Sequence, residues 1–401
     1  TDASQALPSA PDPWEGSAMP SARAVAPFHM TEMIETEPAL AERVLARLAE
    51  PDGPTARLAE VIRAAARAGK PVLVVGCGTS EHGALAVADI LREAHRAAGL
   101  PATLGLGGSP LALQALEGSL EPALGGPGAI VIGVSHEGGT WATNRALSAA
   151  RDAGSTVALI TAAAGSPGAS VADIVVSTEE MDQSWCHTVG YLSPILAAAA
   201  IGARISGLAV DPVVASALLA ASLSAPTTKA ITSMADQLRG VDRVLIVGSG
   251  ADRIAARELT LKVEEGAHLP AAMRDLETML HGHLAGVDAA TGLVLILTDA
   301  AARGPRTARG IGVLRACREL GLRAGIITTP IVAEEIDPVL SPAGRILVPE
   351  APELPDAVAA LLGTAIPLQR LTEQLAVARG TNPDPIRRDD PRYLAAADAA
   401  G

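Results

Sequence analysis

Aromatic residues are almost absent: three tryptophans, two tyrosines and a single phenylalanine serve 401 residues. That scarcity argues against recognition dominated by stacking of bases or sugars on aromatic platforms, and leaves Ala, Val, Leu and Ile to build the cores. Cysteine is also scarce. Cys77, Cys186 and Cys317 form an odd set with no pair at metal-ligand spacing, which fits a reducing compartment. The chain has no basic excess, with 31 Lys and Arg against 44 Asp and Glu and a net charge of −13. With no Lys/Arg cluster either, no nucleic-acid partner is expected. Long hydrophobic runs are missing too. The apolar stretches are short and broken by Gly, Pro or charge, so no membrane span and no signal peptide are expected, and a cytoplasmic location follows as the default.

Against those absences stands a repeat. VLVVGCG at 72–78 is echoed by VLIVGSG at 244–250, and RALSAARDAGSTVALIT at 145–161 by GVLRACRELGLRAGIIT at 312–328. The offsets, 244 − 72 = 172 and 312 − 145 = 167, nearly agree and the order is kept, which indicates a duplicated domain. Each copy reads strand, glycine turn, helix, then helix, glycine, strand. The fold class expected is α/β, as two tandem doubly wound parallel sheets.

Residues 1–27, with five prolines, read as a mobile tail, and 28–67 as N-terminal helices. The first α/β domain is placed at 68–209, with strands near 71–75, 102–106, 129–134, 156–161 and 173–177 and helices near 80–98, 140–153 and 187–206. Connecting helices follow at 210–240. The second domain, 241–365, has strands near 243–247, 292–297, 323–328 and 345–348 and helices near 251–266, 306–320 and from 355 on. Residues 366–401 hold the end of the last helix and an extended tail.

Three segments carry side chains suited to chemistry. After the first strand, Gly78, Thr79 and Ser80 open a helix. Glycine permits close backbone approach, the hydroxyls donate hydrogen bonds and the helix start favours an anion, while a plain capped turn reads equally well. A dinucleotide fingerprint fails there, because Glu81 stands where a third glycine belongs. The third strand runs into Ser135, His136, Glu137 and Thr140. Two hydroxyl-bearing loops in one domain suit an anion or a polyol, and capping by Ser135 and Thr140 is the alternative. Lys262 and Glu265, three apart on a helix, share a face. His268, His281 and His283 follow, and with His82, His136 and His187 they put six of the eight histidines in candidate loops. His281 and His283 have ligand spacing but no clear third ligand, so no metal is expected.

Together these residues resemble the sugar isomerase (SIS) family, in particular the isomerase half of glucosamine-6-phosphate synthase, over about residues 30–396. GCGTS at 76–80 resembles the family's first phosphosugar loop and SHEGGTWAT at 135–143 its second. LKVEE at 261–265 resembles the segment with the catalytic glutamate, which implies that role for Glu265. LHGHLA at 280–285 resembles the segment with the ring-opening histidine, which implies that role for His281, with a homodimer sharing its sites. Lys262 is implied as a donor to the developing oxyanion, and Gly78, Thr79, Ser80, Ser135, His136, Glu137, Thr140, His187 and His283 as substrate contacts. The resemblance implies aldose–ketose or amino-sugar isomerisation or deamination of a hexose derivative, usually a 6-phosphate, with no cofactor. A non-catalytic sugar sensor is the alternative class.

Three departures stand out. No glutaminase segment precedes the matching part, so glutamine-dependent amination is not expected. Ala396 stands where the family's tail lysine belongs, in Arg392-Tyr393-Leu394-Ala395-Ala396. Glu137 replaces the second serine of the phosphate loop. A carboxylate about 4 Å from a phosphate dianion costs on the order of several kcal/mol at intermediate dielectric, so Glu137 either points away or marks a substrate without phosphate there.

Overall fold

The computed structural model describes residues 23–121 and 125–400. The tail expected over 1–27 therefore lies outside the described residues as far as residue 22. Two helices come first, α1 (His29–Leu48) and α2 (Pro54–Arg67), the latter with Pro at its first position, where the missing N–H costs nothing. The first lobe follows as β1 (Val72–Gly76), α3 (Thr79–Ala97), β2 (Pro110–Gln114), α4 (Ala115–Leu120), β3 (Ile130–Val134), α5 (Trp141–Asp152), β4 (Thr156–Thr161), α6 (Pro167–Val171), β5 (Ile174–Ser177) and α7 (Val189–Ser206). Next are α8 (Pro212–Ala221) and α9 (Ala225–Leu238). The second lobe comprises β6 (Arg243–Gly248), α10 (Asp252–Ala267), β7 (Ala271–Asp275), β8 (Thr291–Leu297), α11 (Arg303–Glu319), β9 (Arg323–Thr328), α12 (Pro330–Glu335), β10 (Gly344–Leu347) and α13 (Asp356–Arg379). The chain closes with α14 (Pro391–Ala400).

Each lobe holds one five-stranded parallel sheet. The order is β2-β1-β3-β4-β5 in the first and β10-β9-β8-β6-β7 in the second, the same topology read from opposite edges. In both, the chain reverses its direction of travel across the sheet beside the first strand, between β1 and β3 and between β6 and β8. Doubly wound sheets bind ligands at such points, outside the carboxyl ends of the strands. The first turn of each lobe is equally tight. A Cβ on Gly76 would fall 2.2 Å from the Ser80 carbonyl oxygen, and one on Gly248 2.4 Å from that of Asp252. Only glycine fits either place.

One apolar core runs through both lobes, drawing on α1, α3, α7, α10 and α13, with a smaller core on the outer face of each sheet. Cross-lobe caps tie it together. The Glu93 carboxylate, on α3, accepts from the amides of Asp356 and Ala357 at the start of α13, at 2.8 and 2.9 Å. Helix α7 is long and apolar enough to cross a membrane, but 83% of it is buried inside the protein, as befits a core helix.

Three expectations change. The second strand lies at 110–114, not 102–106. Residues 103–109 turn repeatedly, with Gly105 and Gly108 at φ of +82° and +81°. Strand β7 was not foreseen, because AAMRD is neither apolar throughout nor alternating. The tail expected to be extended ends in α14, an alanine-rich helix with no buried residue.

Candidate active site

The crevice at the first lobe's reversal point receives residues from both lobes. From β1 comes Gly78, at φ +57°, and then Thr79 at the start of α3. No side-chain cap bond forms here; the Thr79 hydroxyl points to Glu258 instead, at 3.2 Å. His82, one turn on, holds the other Glu258 oxygen at 2.6 Å. Ser80 lies beside them, half-buried. Glu258 belongs to α10 and is fully buried. Four residues later on the same face stands Lys262, also fully buried, 3.6 Å from Glu258 and 2.6 Å from Glu265. Burial opposes the charge on Lys262, but Glu265 and Glu258 outweigh it and raise its pKa. Burial likewise works against the Glu258 carboxylate, and Lys262 and His82 more than reverse it. The outcome is a fixed row, Glu258–Lys262–Glu265. Only Glu265 reaches solvent, its side chain 21% exposed. Lys262, expected as a donor to the developing oxyanion, donates here to Glu265.

From β3 comes the second loop. Ser135 and Thr140 do not cap α5; their hydroxyls face each other at 3.2 Å. His136 is buried, and its Nε2 accepts from the Asp182 amide at 2.9 Å. Burial and the neighbouring His187 both lower its pKa, so it is neutral at pH 7. Glu137 turns toward His187, with Oε1 3.3 Å from Nε2, and the two side chains are 12% and 17% exposed. Burial would push Glu137 up, but the hydrogen bond and charge of His187, with help from Glu137's own backbone amide, bring it below its ordinary value. Burial would push His187 down, and Glu137 lifts it instead. Each partner thus favours the charged form of the other.

His187 is held by the segment 182–188, where the buried Asp182 carboxylate accepts from the amides of Thr188 and Gly190 at 2.6 and 3.0 Å and caps the entry to α7. In the same segment Cys186 lies against Gly266, at the end of α10, which sets the Glu137–His187 pair next to the Glu265 end of the row.

The remaining candidates lie apart. His268 ends α10 in a left-handed conformation and lines a neighbouring cleft with Glu265. His283 accepts from Arg274 at 3.1 Å. His281 is 69% exposed and pairs with Glu277 at 2.7 Å, so one chain does not bring it to the Glu265 row. Among the described residues no group of three or more His, Cys, Asp or Glu side chains is placed to hold a metal ion. His82 was counted among the candidate-loop histidines but given no role, and Glu258 was missed, although Glu258, Lys262 and Glu265 follow i, i+4, i+7 spacing along one helical face.

No protein-family model matches the chain. It is 30% identical over 271 residues to a glutamine–fructose-6-phosphate aminotransferase (isomerizing) of Symbiobacterium thermophilum, covering 64% of this chain and 42% of that protein. Its counterpart from Pyrobaculum aerophilum is 27% identical over 82% of this chain and 52% of its own length. The chain thus spans about half the length of these curated relatives. The C-terminal domain of glucosamine-fructose-6-phosphate aminotransferase from Francisella tularensis superposes with a TM-score of 0.75 at 17% identity, over 91% of this chain and 99% of that one. Tagatose-6-phosphate ketose/aldose isomerase from Escherichia coli gives 0.71 at 17%, over 91% and 96%. With the paired sheets and their common topology, these likenesses define the fold: two five-stranded parallel α/β sheets that match tandem SIS domains. In sequence and fold the chain resembles the isomerase domain of glucosamine-fructose-6-phosphate aminotransferase.

Proposed function

We propose that the protein is an isomerase or deaminase of a hexose derivative, in the manner of the sugar-phosphate enzymes it resembles. The observation that carries this reading is the buried Glu258–Lys262–Glu265 row, which leaves a single carboxylate, Glu265, open to solvent at a cleft it lines with His268, Arg387 and Tyr393. Aldose–ketose exchange needs such a base to move a proton between adjacent carbons. Ring opening falls to His281 supplied by a second copy of the chain, since this histidine lies exposed on the surface beside Glu277.

A second reading concerns the substrate's far end. Glu137 is ionised and sits in the loop that would take a phosphate, with its own amide already engaged. That favours a substrate ending in a hydroxyl there.

The test is proton NMR in D₂O with hexose 6-phosphates, their 2-amino forms and the matching free sugars. The expected result is deuterium at C2 of one group, lost by about 10²- to 10⁴-fold in Glu265→Gln. Mixed Glu265→Gln and His281→Ala protomers, each inactive alone, should regain part of the exchange. Exchange that survives Glu265→Gln would remove the assigned base. No exchange with any member moves the protein to the sensor class.

A further inference from the structure

Arg388 is a site cation that the reading above leaves unused. It rides on residues 381–390, a segment pinned in three places. The Thr381 hydroxyl donates to the Gly266 carbonyl at 2.8 Å, the Trp185 amide donates to the Asp384 carbonyl at 3.1 Å, and the Asp384 carboxylate accepts from the amides of His29 and Met30 at 2.8 and 2.9 Å. Immediately before Arg388, Ile386 and Arg387 both adopt left-handed backbone, at φ of +43° and +62°. That conformation is costly for side-chain-bearing residues, most of all a β-branched one.

The strained turn delivers the Arg388 guanidinium to the Trp185 ring, 4.3 Å from its centroid and two residues from His187. Its Nη1 is sealed from solvent and has no hydrogen-bond partner. Burial lowers its pKa to about 10, against the pull of the Glu137 and Glu265 carboxylates, both within electrostatic reach. A cleft lined by Glu265, Ile386, Arg387 and Tyr393 opens alongside. A buried guanidinium N–H left without an acceptor is expensive and calls for one.

The lysines sharpen the point. The chain has three, Lys70, Lys229 and Lys262. The first two are exposed on the outside, and the third is locked between two carboxylates in its charged form. An imine with a ketose needs a free neutral amine, and a guanidinium does not supply one. The substrate carbonyl must then be activated by a hydrogen bond.

We propose that Arg388 donates its free N–H to the substrate oxygen next to the carbon that Glu265 deprotonates. The proposal rests on Glu265 as base. The Glu265 carboxylate takes the carbon-bound proton, the C–H pair becomes the C=C bond of an enediolate, and the carbonyl π pair moves onto oxygen. Negative charge leaves Glu265 and appears on that oxygen against Arg388, so the charge of the site is unchanged. Glu265, whose proton exchanges with solvent in the interval, returns one to the neighbouring carbon, the hydroxyl on the deprotonated carbon gives its proton to the oxygen held by Arg388, and the new carbonyl completes the exchange.

The experiment is isothermal titration of the intact protein with arabinonate and arabinitol, each with and without a 5-phosphate. The arabinonate carboxylate mimics the enediolate oxygens, and arabinitol is the same chain without them. In Arg388→Gln, the arabinonate that binds should weaken by at least about tenfold, while its arabinitol partner changes by less than about threefold. Arg388→Lys should fall between wild type and Arg388→Gln. Equal losses on both compounds, with a lowered melting temperature, would mark Arg388 as structural and overturn the proposal, as would no loss on either. If wild type binds no member, the proposal and the substrate class fall together. Exchange at C2 that persists in Glu265→Gln removes the base, whatever Arg388 does.

Discussion

The two lobes share one topology, yet their crevices differ in what fills them. In the first, hydroxyls, a Glu–His pair and a half-exposed turn leave an opening. In the second, at the reversal between β6 and β8, the chain closes the gap with its own carboxylates. Asp252 accepts from the amides of Thr298 and Asp299 at 2.8 and 3.0 Å. Asp299 accepts from the amides of Ala251 and Ala301 at 2.9 and 2.8 Å and from Arg306. A Cβ on Gly250 would strike Asp299 and Arg306 at 2.2 and 2.3 Å. The amides of Ala251, Thr298, Asp299 and Ala301 that an anionic ligand would use at this turn are already taken. After duplication, one copy retains an open crevice while the other has turned its binding geometry into an internal bond network, the difference lying in a few loop residues.

Removing the seal should have the largest effect. Asp252→Ala strips the acceptor from two buried amides and the Thr298 hydroxyl, so stability should drop by roughly 4 kcal/mol, read as a lowered denaturant midpoint. An unchanged midpoint would mean that the network only decorates the loop.

Glu37, wholly buried on α1, tests what such donors are worth. Burial lifts it to about 8 against a pull from the neighbouring Gln369 side chain, whereas the donor-rich Asp252 reaches only about 6. The folded state thus holds the Glu37 proton more tightly than the unfolded chain. Its favourable contribution is complete below pH 4.5 and declines as pH rises toward 8. At pH 7 the loss is on the order of 3 kcal/mol. Glu37→Gln should therefore melt higher than wild type at pH 7–8 and converge with it near pH 5. Parallel curves would show that Glu37 is not protonated in the fold.

The smallest change concerns the open crevice. Glu137→Ser should shift preference toward phosphorylated ligands by about tenfold relative to their free sugars, measured as a ratio of affinities. A ratio that stays put would place Glu137 outside the contact surface.

The central strands were legible because strands covered on both faces are continuous apolar runs: VLVVG, IVIGV and TGLVLIL are buried throughout. The strands misplaced or missed, β2 and β7, are edges. Each pairs on one side only, and neither carries an apolar run buried from end to end. In the site, Thr79, Glu137, His187, Lys262 and Glu265 were chosen from loop and helix position, and the structure gathers them. The contacts made across the chain were invisible for a different reason. His82 and Glu258 are 176 residues apart, and Arg388 reaches Trp185 only through the fold of the tail. No local period records such a meeting.

Helix α10 belongs to both crevices. Its first residue, Asp252, anchors the sealed one, and its last turn carries Glu265 into the open one, about 20 Å away along a rigid rod. The sealed lobe thus acts as a fulcrum. Because its loops grip the near end of the lever, any slackening there would swing the far end, and proton transfer tolerates little misplacement. A lobe that has filled its own reversal point still sets the aim of the carboxylate in the other.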